Sequence, residues 1–400
     1  MNSKKEEAEK AIRESKRSGT KKIWAFFPLL FVPGIVLLLA PSTVNTIMEK
    51  FGFRESLGGL LQVSYFVGGF TGILLITFLM QKYSTKQILL GSSFLLSFSL
   101  LGCSISPWYP FLLVLFAFAG FGNGILITYP GVYVTRILSE ESITAQSLLY
   151  SFFSLGVLSG PIIIGWIIKS GISWRWAFAT PAILIIPLSI PVAFAKFEEI
   201  EGVEVVKPST IREILIKNRV LFLGLLSSLI LYIAAESAVS MWLVTFFFKK
   251  HGLSEGYGHW ILSGLWAGIT LGRWICGWAS RRISPFRILI FLSISAGFTL
   301  LAAPLSGSRI AAIVLYPFVG LFYSGIYPFL IGYTSRFPSE HSSAVFTLFL
   351  AAGTVGGATL PYIVGLLNQF VGFVAGMSLI SLPLFAILFF MYWIRNQIAF

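Results

Sequence analysis

The sequence predicts an all-α polytopic membrane protein with twelve transmembrane helices in two pseudo-symmetric six-helix bundles. Composition, the number of apolar stretches and an internal repeat support this prediction. Hydrophobic residues make up 56% of the 400 positions and charged residues only 11%, whereas soluble domains carry about 25% charged residues. The mean hydropathy of +0.85 places the chain among membrane proteins.

The apolar stretches have the length that a helix needs to cross a bilayer, about 20 residues. Six precede residue 195 and six follow residue 219. The predicted spans are 24–48, 57–80, 87–106, 108–135, 143–168, 174–194, 220–248, 256–279, 286–306, 308–335, 342–368 and 371–393.

The two groups of six spans repeat one another at an offset of 200 residues. Matching pairs are Gly68 with Gly268, Gly72 with Gly272, Gly120 with Gly320, Gly156 with Gly356, Pro161 with Pro361, and Arg136 with Arg336. A period this long indicates two copies of one domain, because solenoid repeats are roughly 20 to 50 residues long. Two fused membrane halves are typical of a secondary transporter.

This pattern divides the chain into four parts. They are a charged cytoplasmic N-terminal segment, 1–22, a first six-helix bundle, 23–194, a central cytoplasmic loop, 195–219, and a second bundle, 220–400. In the central loop, Pro208 and the capping-box pattern Thr210-x-x-Glu213 predict a short amphipathic helix on the membrane surface.

The distribution of positive charge predicts the orientation. With both termini inside, the cytoplasmic segments carry 21 of the 29 Lys and Arg residues and the external segments carry seven. This is the positive-inside pattern, so the net charge of +13 reflects topology rather than binding to nucleic acid. We expect a multi-pass protein of the cell membrane with no cleaved signal peptide, because the first apolar run is too long for one.

The sequence offers little for enzyme chemistry. Cys103 and Cys276 lie in different spans and predict no disulfide, metal or redox motif. No nucleophile–base pattern, metal-ligand spacing or phosphate loop is present, so we expect neither an enzyme nor a cofactor. His251, His259 and His341 lie near helix ends, where we expect surface positions; a pH-sensing role is the alternative for His259.

One acidic residue stands out. The chain contains no Asp, and of its 16 Glu residues only Glu236 lies deep in a span, about 18 Å from either end of the seventh. Tyr232 and Ser240 share its helix face. The carboxylate is a candidate substrate ligand, a candidate proton carrier or half of a structural ion pair.

Arg273 is the charged residue buried in the eighth span. It follows Gly272 in the cytoplasmic third of the bilayer, below the level of Glu236. A direct pair with Glu236 is one interpretation. The favoured one is an arginine that reaches the inner surface and caps backbone carbonyls.

Polar and aromatic residues on the remaining spans outline a candidate cavity. Neutral amides, hydroxyls and flat rings suit a neutral hydroxylated solute. The candidates for substrate binding or coupling are Glu236, Tyr232, Trp242, Asn45, Gln62, Tyr65, Asn123, Tyr129, Tyr133, Gln146, Tyr150, Trp266, Tyr316, Tyr323 and Tyr327. Gly272, Pro161, Pro361 and Arg273 are candidates for gating or structural roles.

Several strings resemble a known family. They are Tyr232-x-x-x-Glu236, Trp242-Leu243, Leu253-Ser254-Glu255, Gly272-Arg273 and Gly320-Leu-Phe-Tyr-Ser-Gly325-Ile-Tyr-Pro328. Their order resembles the fucose and glucose/galactose permeases of the major facilitator superfamily. The resemblance covers residues 24–395 and implies transport of a sugar or related polar solute by alternating access, with protons as the candidate coupling ion.

The sequence also departs from that family. The loop after the second span normally carries an Asp, but here it reads Gln81-Lys82-Tyr83-Ser84. Family symporters use acids in helices 1 and 4, where this chain has Val36, Asn45, Thr128 and Tyr129. Proton coupling would therefore fall on Glu236. An exporter or flippase of amphipathic molecules and an uncoupled uniporter are the alternatives; in each case we expect a monomer surrounded by lipid.

Overall fold

The computed structural model describes residues 24–138, 142–198, 208–337 and 339–398. The ordered elements in these residues are all helices. The predicted N-terminal segment, 1–22, and the part of the central loop from 199 to 207 lie outside the described residues.

The first bundle contains seven helices that form six spans. Its first span is divided at Leu38, where the backbone leaves the helical region. The helices are α1 (Phe26–Leu37), α2 (Leu39–Phe51), α3 (Glu55–Lys82), α4 (Thr85–Ile105), α5 (Tyr109–Leu138), α6 (Ser142–Lys169) and α7 (Arg175–Phe194).

The second bundle repeats this order with more interruptions. The helices are α8 (Pro208–His251), α9 (Glu255–Ala279), α10 (Pro285–Leu305), α11 (Arg309–Tyr323), α12 (Ile326–Gly332), α13 (Ser339–Phe370), α14 (Phe373–Leu379), α15 (Ser381–Trp393) and α16 (Arg395–Ile398). A short 3-10 turn, Tyr333–Arg336, follows α12.

Eleven segments of the described residues are long and apolar enough to cross a membrane. The remaining predicted span, the eighth (256–279), forms α9, which has 25 residues but is less apolar because it carries His259, Arg273 and several glycines. Helix α9 packs against α6, α8 and α11. All twelve predicted spans are therefore helical, and the predicted all-α polytopic fold is confirmed.

The central segment enters the second bundle through a break in α8. Asn218 has non-helical backbone angles and separates the start of α8 from the spanning part. Before the break, Lys217 and Glu213 form an exposed ion pair at 2.7 Å, while Ile214 is buried. One charged and one apolar face agree with an amphipathic helix; its position on a membrane surface stays a prediction.

Glycines let the helices of each bundle touch backbone to backbone. A Cβ at Gly68 in α3 would collide with the carbonyl oxygen of Ala117 in α5, and one at Gly120 would collide with that of Tyr65. The repeat reproduces this contact between α9 and α11, where Gly268 and Gly320 face the carbonyls of Pro317 and Leu265. Small residues at such crossings permit close packing in membranes.

The most extensive contacts between the bundles pair α3 with α13, α6 with α9, and α2 with α8. The first two pairs are equivalent under the 200-residue offset. Helices α6 and α13 run continuously through Pro161 and Pro361, the predicted kink sites. A gating role for these two prolines stays a prediction.

Replacing Gly68 with Ala should lower stability. The new methyl group would overlap the backbone of α5, and overpacking of this kind costs about 1–3 kcal/mol. Thermal unfolding of the purified protein in detergent measures the effect. Gly91→Ala is the matched control, because no atom lies within 4 Å of its Cβ position and Ala is intrinsically better than Gly in a helix. Equal melting temperatures for both variants would contradict the close contact.

Candidate functional site

The acidic residue singled out by the sequence is bonded to a tyrosine on its own helix. Tyr232 and Glu236 lie one turn apart on α8, and the Tyr232 hydroxyl donates to Glu236 Oε1 at 2.6 Å. Tyr232 is almost fully buried, and Glu236 is half-buried. The carboxylate keeps its other oxygen available for a second donor.

Two further tyrosines lie beside this pair, on either side of a helix break. Helix α11 ends at Tyr323 and α12 begins at Ile326, with Ser324 and Gly325 between them. Tyr323 and Tyr327 are four residues apart, the spacing of one helix face, and both approach Tyr232, with ring centroids at 5.8 and 6.2 Å. Tyr232, Glu236, Tyr323, Tyr327 and Arg273 are called the central cluster below.

Arg273 joins this cluster from α9. Its guanidinium is half-buried and lies within electrostatic range of Glu236, Tyr232 and Tyr327. Among the described residues the two charges of Arg273 and Glu236 attract each other across a gap, with no direct hydrogen bond between them. The favoured interpretation of Arg273 as a cap at the inner surface omitted this attraction, because the sequence does not specify which way the side chain points.

Some buried polar atoms among the candidates have no hydrogen-bond partner in the described residues. They are Gln62 Oε1, Asn123 Oδ1, Ser240 Oγ, Trp266 Nε1, Tyr316 Oη and Tyr323 Oη. Buried polar groups are nearly always satisfied in native proteins. Such atoms in a transporter interior are therefore candidates for contact with a polar solute.

Other candidates in the first bundle hold its helices together. The Asn123 amide in α5 donates to the Tyr65 hydroxyl in α3 at 2.5 Å and to the Pro33 carbonyl in α1 at 3.3 Å. Tyr150 in α6 donates to the Ile127 carbonyl at 3.3 Å. Tyr150 also lies in electrostatic range of Tyr327, so it connects the first bundle to the central cluster.

The remaining aromatic candidates have protein partners as well. Tyr129 shares a 2.7 Å hydrogen bond with Thr85, and Tyr133 accepts one from the Glu198 backbone at 3.1 Å. Trp242 is fully buried and donates to the Pro361 carbonyl at 2.7 Å, which ties α8 to α13. The amide residue Gln146 is half-buried and also has an interaction partner in the protein. A substrate role for these four stays a prediction.

The structure places Asn45 at a contact between the bundles rather than beside Glu236. Thr245 of α8 donates to its amide oxygen at 2.7 Å. The two residues are 200 positions apart, so this bond lies on the pseudo-twofold axis that relates the halves. The spacing is visible in the repeat, but the sequence alone does not show which equivalent positions meet on the axis.

Four more hydrogen bonds join the bundles toward the predicted external end. Thr46 donates to Glu255 at 3.5 Å, and Ser263 to the Leu158 carbonyl at 3.0 Å. The backbone N–H of Ser56 donates to Gln369 at 3.2 Å, and His259 contacts the Ser42 carbonyl at 2.9 Å. These bonds close the molecule at this end.

His259 corrects an expectation from the sequence. A surface position was favoured, yet its side chain is only 1% exposed. Its position near a helix end suggested that the side chain would be exposed to water. However, the start of α9 packs against α2 and α6, which cover His259. Sequence periodicity does not report such contacts between bundles.

The central cluster provides a carboxylate, a cation and phenol hydroxyls. No group of three or more potential ligands from His, Cys, Asp and Glu is assembled within the described ranges. Cys103 and Cys276 are both free and buried. The available chemistry is hydrogen bonding, stacking on rings and protonation of a carboxylate.

The chain is similar in sequence and in structure to known transporters. GlcP, a glucose/mannose transporter of Bacillus subtilis (strain 168), is 24% identical over 367 residues, covering 86% of this chain and 87% of GlcP. A bacterial homolog of the human lysosomal transporter Spinster has a TM-score of 0.78 at 13% identity, covering 94% and 97% of the two chains. A single-residue variant of the Escherichia coli fucose:proton symporter FucP has a TM-score of 0.68 at 16% identity, covering 95% and 99%.

The model of the Major Facilitator Superfamily matches residues 25–361. This range includes all the helices that carry the central cluster, and it extends across both bundles. The resemblance found in the sequence is therefore confirmed, together with the expectation that the chain is not an enzyme. The chain belongs to the Major Facilitator Superfamily and is a membrane transporter.

Proposed function

We propose that this transporter moves a sugar or a related neutral, hydroxylated solute by alternating access, and that Glu236 couples its movement to protons. The observation that carries the proposal is the central cluster, in which one carboxylate, bonded to Tyr232, lies among phenol hydroxyls in the interior of the protein. Transporters of this architecture bind their solutes near the bilayer midplane between two repeats.

The chemistry of the cluster favours a neutral polar solute. The buried hydroxyl of Tyr323 in the cluster has no partner among the described residues. The same holds for two buried atoms outside the cluster, the Tyr316 hydroxyl and the side-chain oxygen of Gln62. Hydroxyl groups of a sugar can satisfy such atoms, while its C–H faces can rest on the rings of Tyr232 and Tyr327. The similarity to GlcP, a glucose/mannose transporter, supports this solute class.

The charge balance around Glu236 supports the proposed proton coupling. When Glu236 is ionised, the Tyr232 hydroxyl and the nearby Arg273 stabilise the carboxylate. A proton bound to Glu236 would remove the negative charge and turn one oxygen into a donor. A carboxyl group in the membrane interior is therefore suited to carry a proton between the two sides.

The contacts between the bundles support rocking of two rigid halves. The five hydrogen bonds at the predicted external end join α2 to α8 and α9, α6 to α9, and α3 to α13. Opening this end would break all five. We infer that the structure represents a state closed to the outside, in a protein of the cell membrane with cytoplasmic termini, acting as a monomer in lipid.

Replacing Glu236 with Gln should uncouple solute transport from the proton gradient. The variant cannot release a proton, so accumulation driven by a pH gradient should fall about tenfold or more, while exchange of solute across a liposome membrane persists. Uptake of labelled sugar with and without a pH gradient measures both. Glu213→Gln, in an exposed ion pair before the spanning part of α8, is the matched control and should behave like the unmodified protein. Normal accumulation in Glu236→Gln would exclude coupling at this residue; a wild-type protein without gradient-driven uptake would favour a uniporter.

Replacing Tyr323 with Phe should weaken solute binding without lowering thermal stability. Its hydroxyl has no partner among the described residues, so only a bond to solute is lost, which corresponds to roughly a three- to tenfold increase in Kd. Calorimetric titration with a panel of neutral sugars measures the affinity. Tyr109→Phe is the control: its hydroxyl bonds to the Leu57 carbonyl at 2.5 Å, so it should lose stability and keep its affinity. Unchanged affinity in Tyr323→Phe would remove this residue from the site.

A further inference from the structure

His259 lies between the two bundles with both ring nitrogens in contact with oxygen atoms. Nδ1 is 2.6 Å from the backbone carbonyl of Glu255, one turn earlier in α9. Nε2 is 2.9 Å from the backbone carbonyl of Ser42 in α2, which belongs to the other bundle. The second contact crosses the interface that closes the predicted external end.

The two carbonyl partners of His259 determine which protonation state of its imidazole ring fits. A carbonyl oxygen only accepts hydrogen bonds, so each short contact requires an N–H on the histidine. A neutral imidazole has one N–H, and its second nitrogen would face a carbonyl oxygen with a lone pair. The imidazolium has two N–H groups and satisfies both partners.

Ionisable side chains lie on the helices that pack around His259. On its own helix, the Glu255 carboxylate is held by Thr46 of α2, and Glu49 of α2 lies within electrostatic range of it. Helix α6 contributes Lys169, whose side chain lies against Gly256. Helix α8 contributes the neutral Val244 and Thr245. Burial disfavours a charged ring, and the two carbonyl acceptors oppose that cost.

The space around the ring is closely fitted. Gly165 of α6 faces it, and a Cβ at that glycine would lie 2.8 Å from His259 Cγ. In the first half the equivalent of His259 is Gly59, against which the backbone of Tyr362 packs. The histidine is therefore a feature of only one of the two equivalent interfaces.

We propose that His259 is a proton-binding site that fastens the two bundles together at the external end. A proton taken up from outside completes the bond to the Ser42 carbonyl and stabilises the closed state, so an acidic exterior favours closure and an alkaline one favours opening. The site is separate from Glu236. It rests on the rocking of the halves proposed above, though not on the identity of the solute.

Distances between spin labels on the two bundles test this proposal in the full chain. Ser170 and Tyr257 are both exposed and lie on opposite sides of the interface. Cysteines at these positions, with Cys103 and Cys276 replaced by Ala, carry the labels in lipid nanodiscs. Pulsed electron resonance then gives the fractions of short and long distances between about pH 8 and about pH 5, a range that includes the titration of histidine.

With His259 present, the short-distance fraction should increase as the pH falls. In His259→Gln, the amide nitrogen takes the place of Nε2 and donates to Ser42 at every pH, so the distances should stay short and independent of pH. His259→Leu removes both bonds and should favour the long distance throughout. His251→Gln, at the same end of the molecule, is the matched control and should keep the pH response.

A pH response that persists in His259→Gln would overturn the proposal, as would opening of the wild-type protein in acid. Monodisperse elution of each variant confirms that it folds. Addition of solute at constant pH separates this proposal from the proposed function. Distances that respond to solute but not to pH refute only the proton site, whereas distances that respond to neither refute the rocking of the halves.

Discussion

The fold depends on four glycines that allow helices to touch backbone to backbone. Gly68 and Gly120 join α3 to α5, and Gly268 and Gly320 join α9 to α11. Lipid provides no hydrophobic force between helices, so close van der Waals contact must hold each bundle together. These crossings hold the helices of each half together. In the proposed alternating access, movement takes place at the interface between the halves.

The repeat determines this frame, but the chemistry breaks the symmetry. Glu236 corresponds to Val36, Arg273 to Ile73 and His259 to Gly59. The ionisable groups of the interior therefore lie in the second half. The first half supplies neutral partners, such as the Ser42 carbonyl and Asn45, against which the second half closes. Each charge in the membrane interior is costly to bury and needs polar partners.

Patterns within one helix predicted much of the structure, whereas contacts between helices were harder to anticipate. Apolar length gave all twelve spans, and the offset of 200 residues gave the two bundles. The pair Tyr232–Glu236 was accessible because it obeys the four-residue spacing of a helix. The break at Ser324–Gly325 was not predicted, but Tyr323 and Tyr327 on either side of it keep the four-residue spacing that places both beside Tyr232. The burial of His259 depends on α2 and α6, which are far away in sequence.

Helix α9 connects the closed end of the molecule to the central cluster. His259 and Arg273 are 14 residues apart on it, about 21 Å along the axis. Helix α8, which carries Glu236, belongs to the same bundle as α9. In the proposed rocking, a movement that separates His259 from Ser42 therefore carries Arg273 and Glu236 together, and the attraction between them is kept. The partner that is left behind is α2 of the other bundle, so the proposed proton site at the external end and the charge balance at Glu236 act independently of each other.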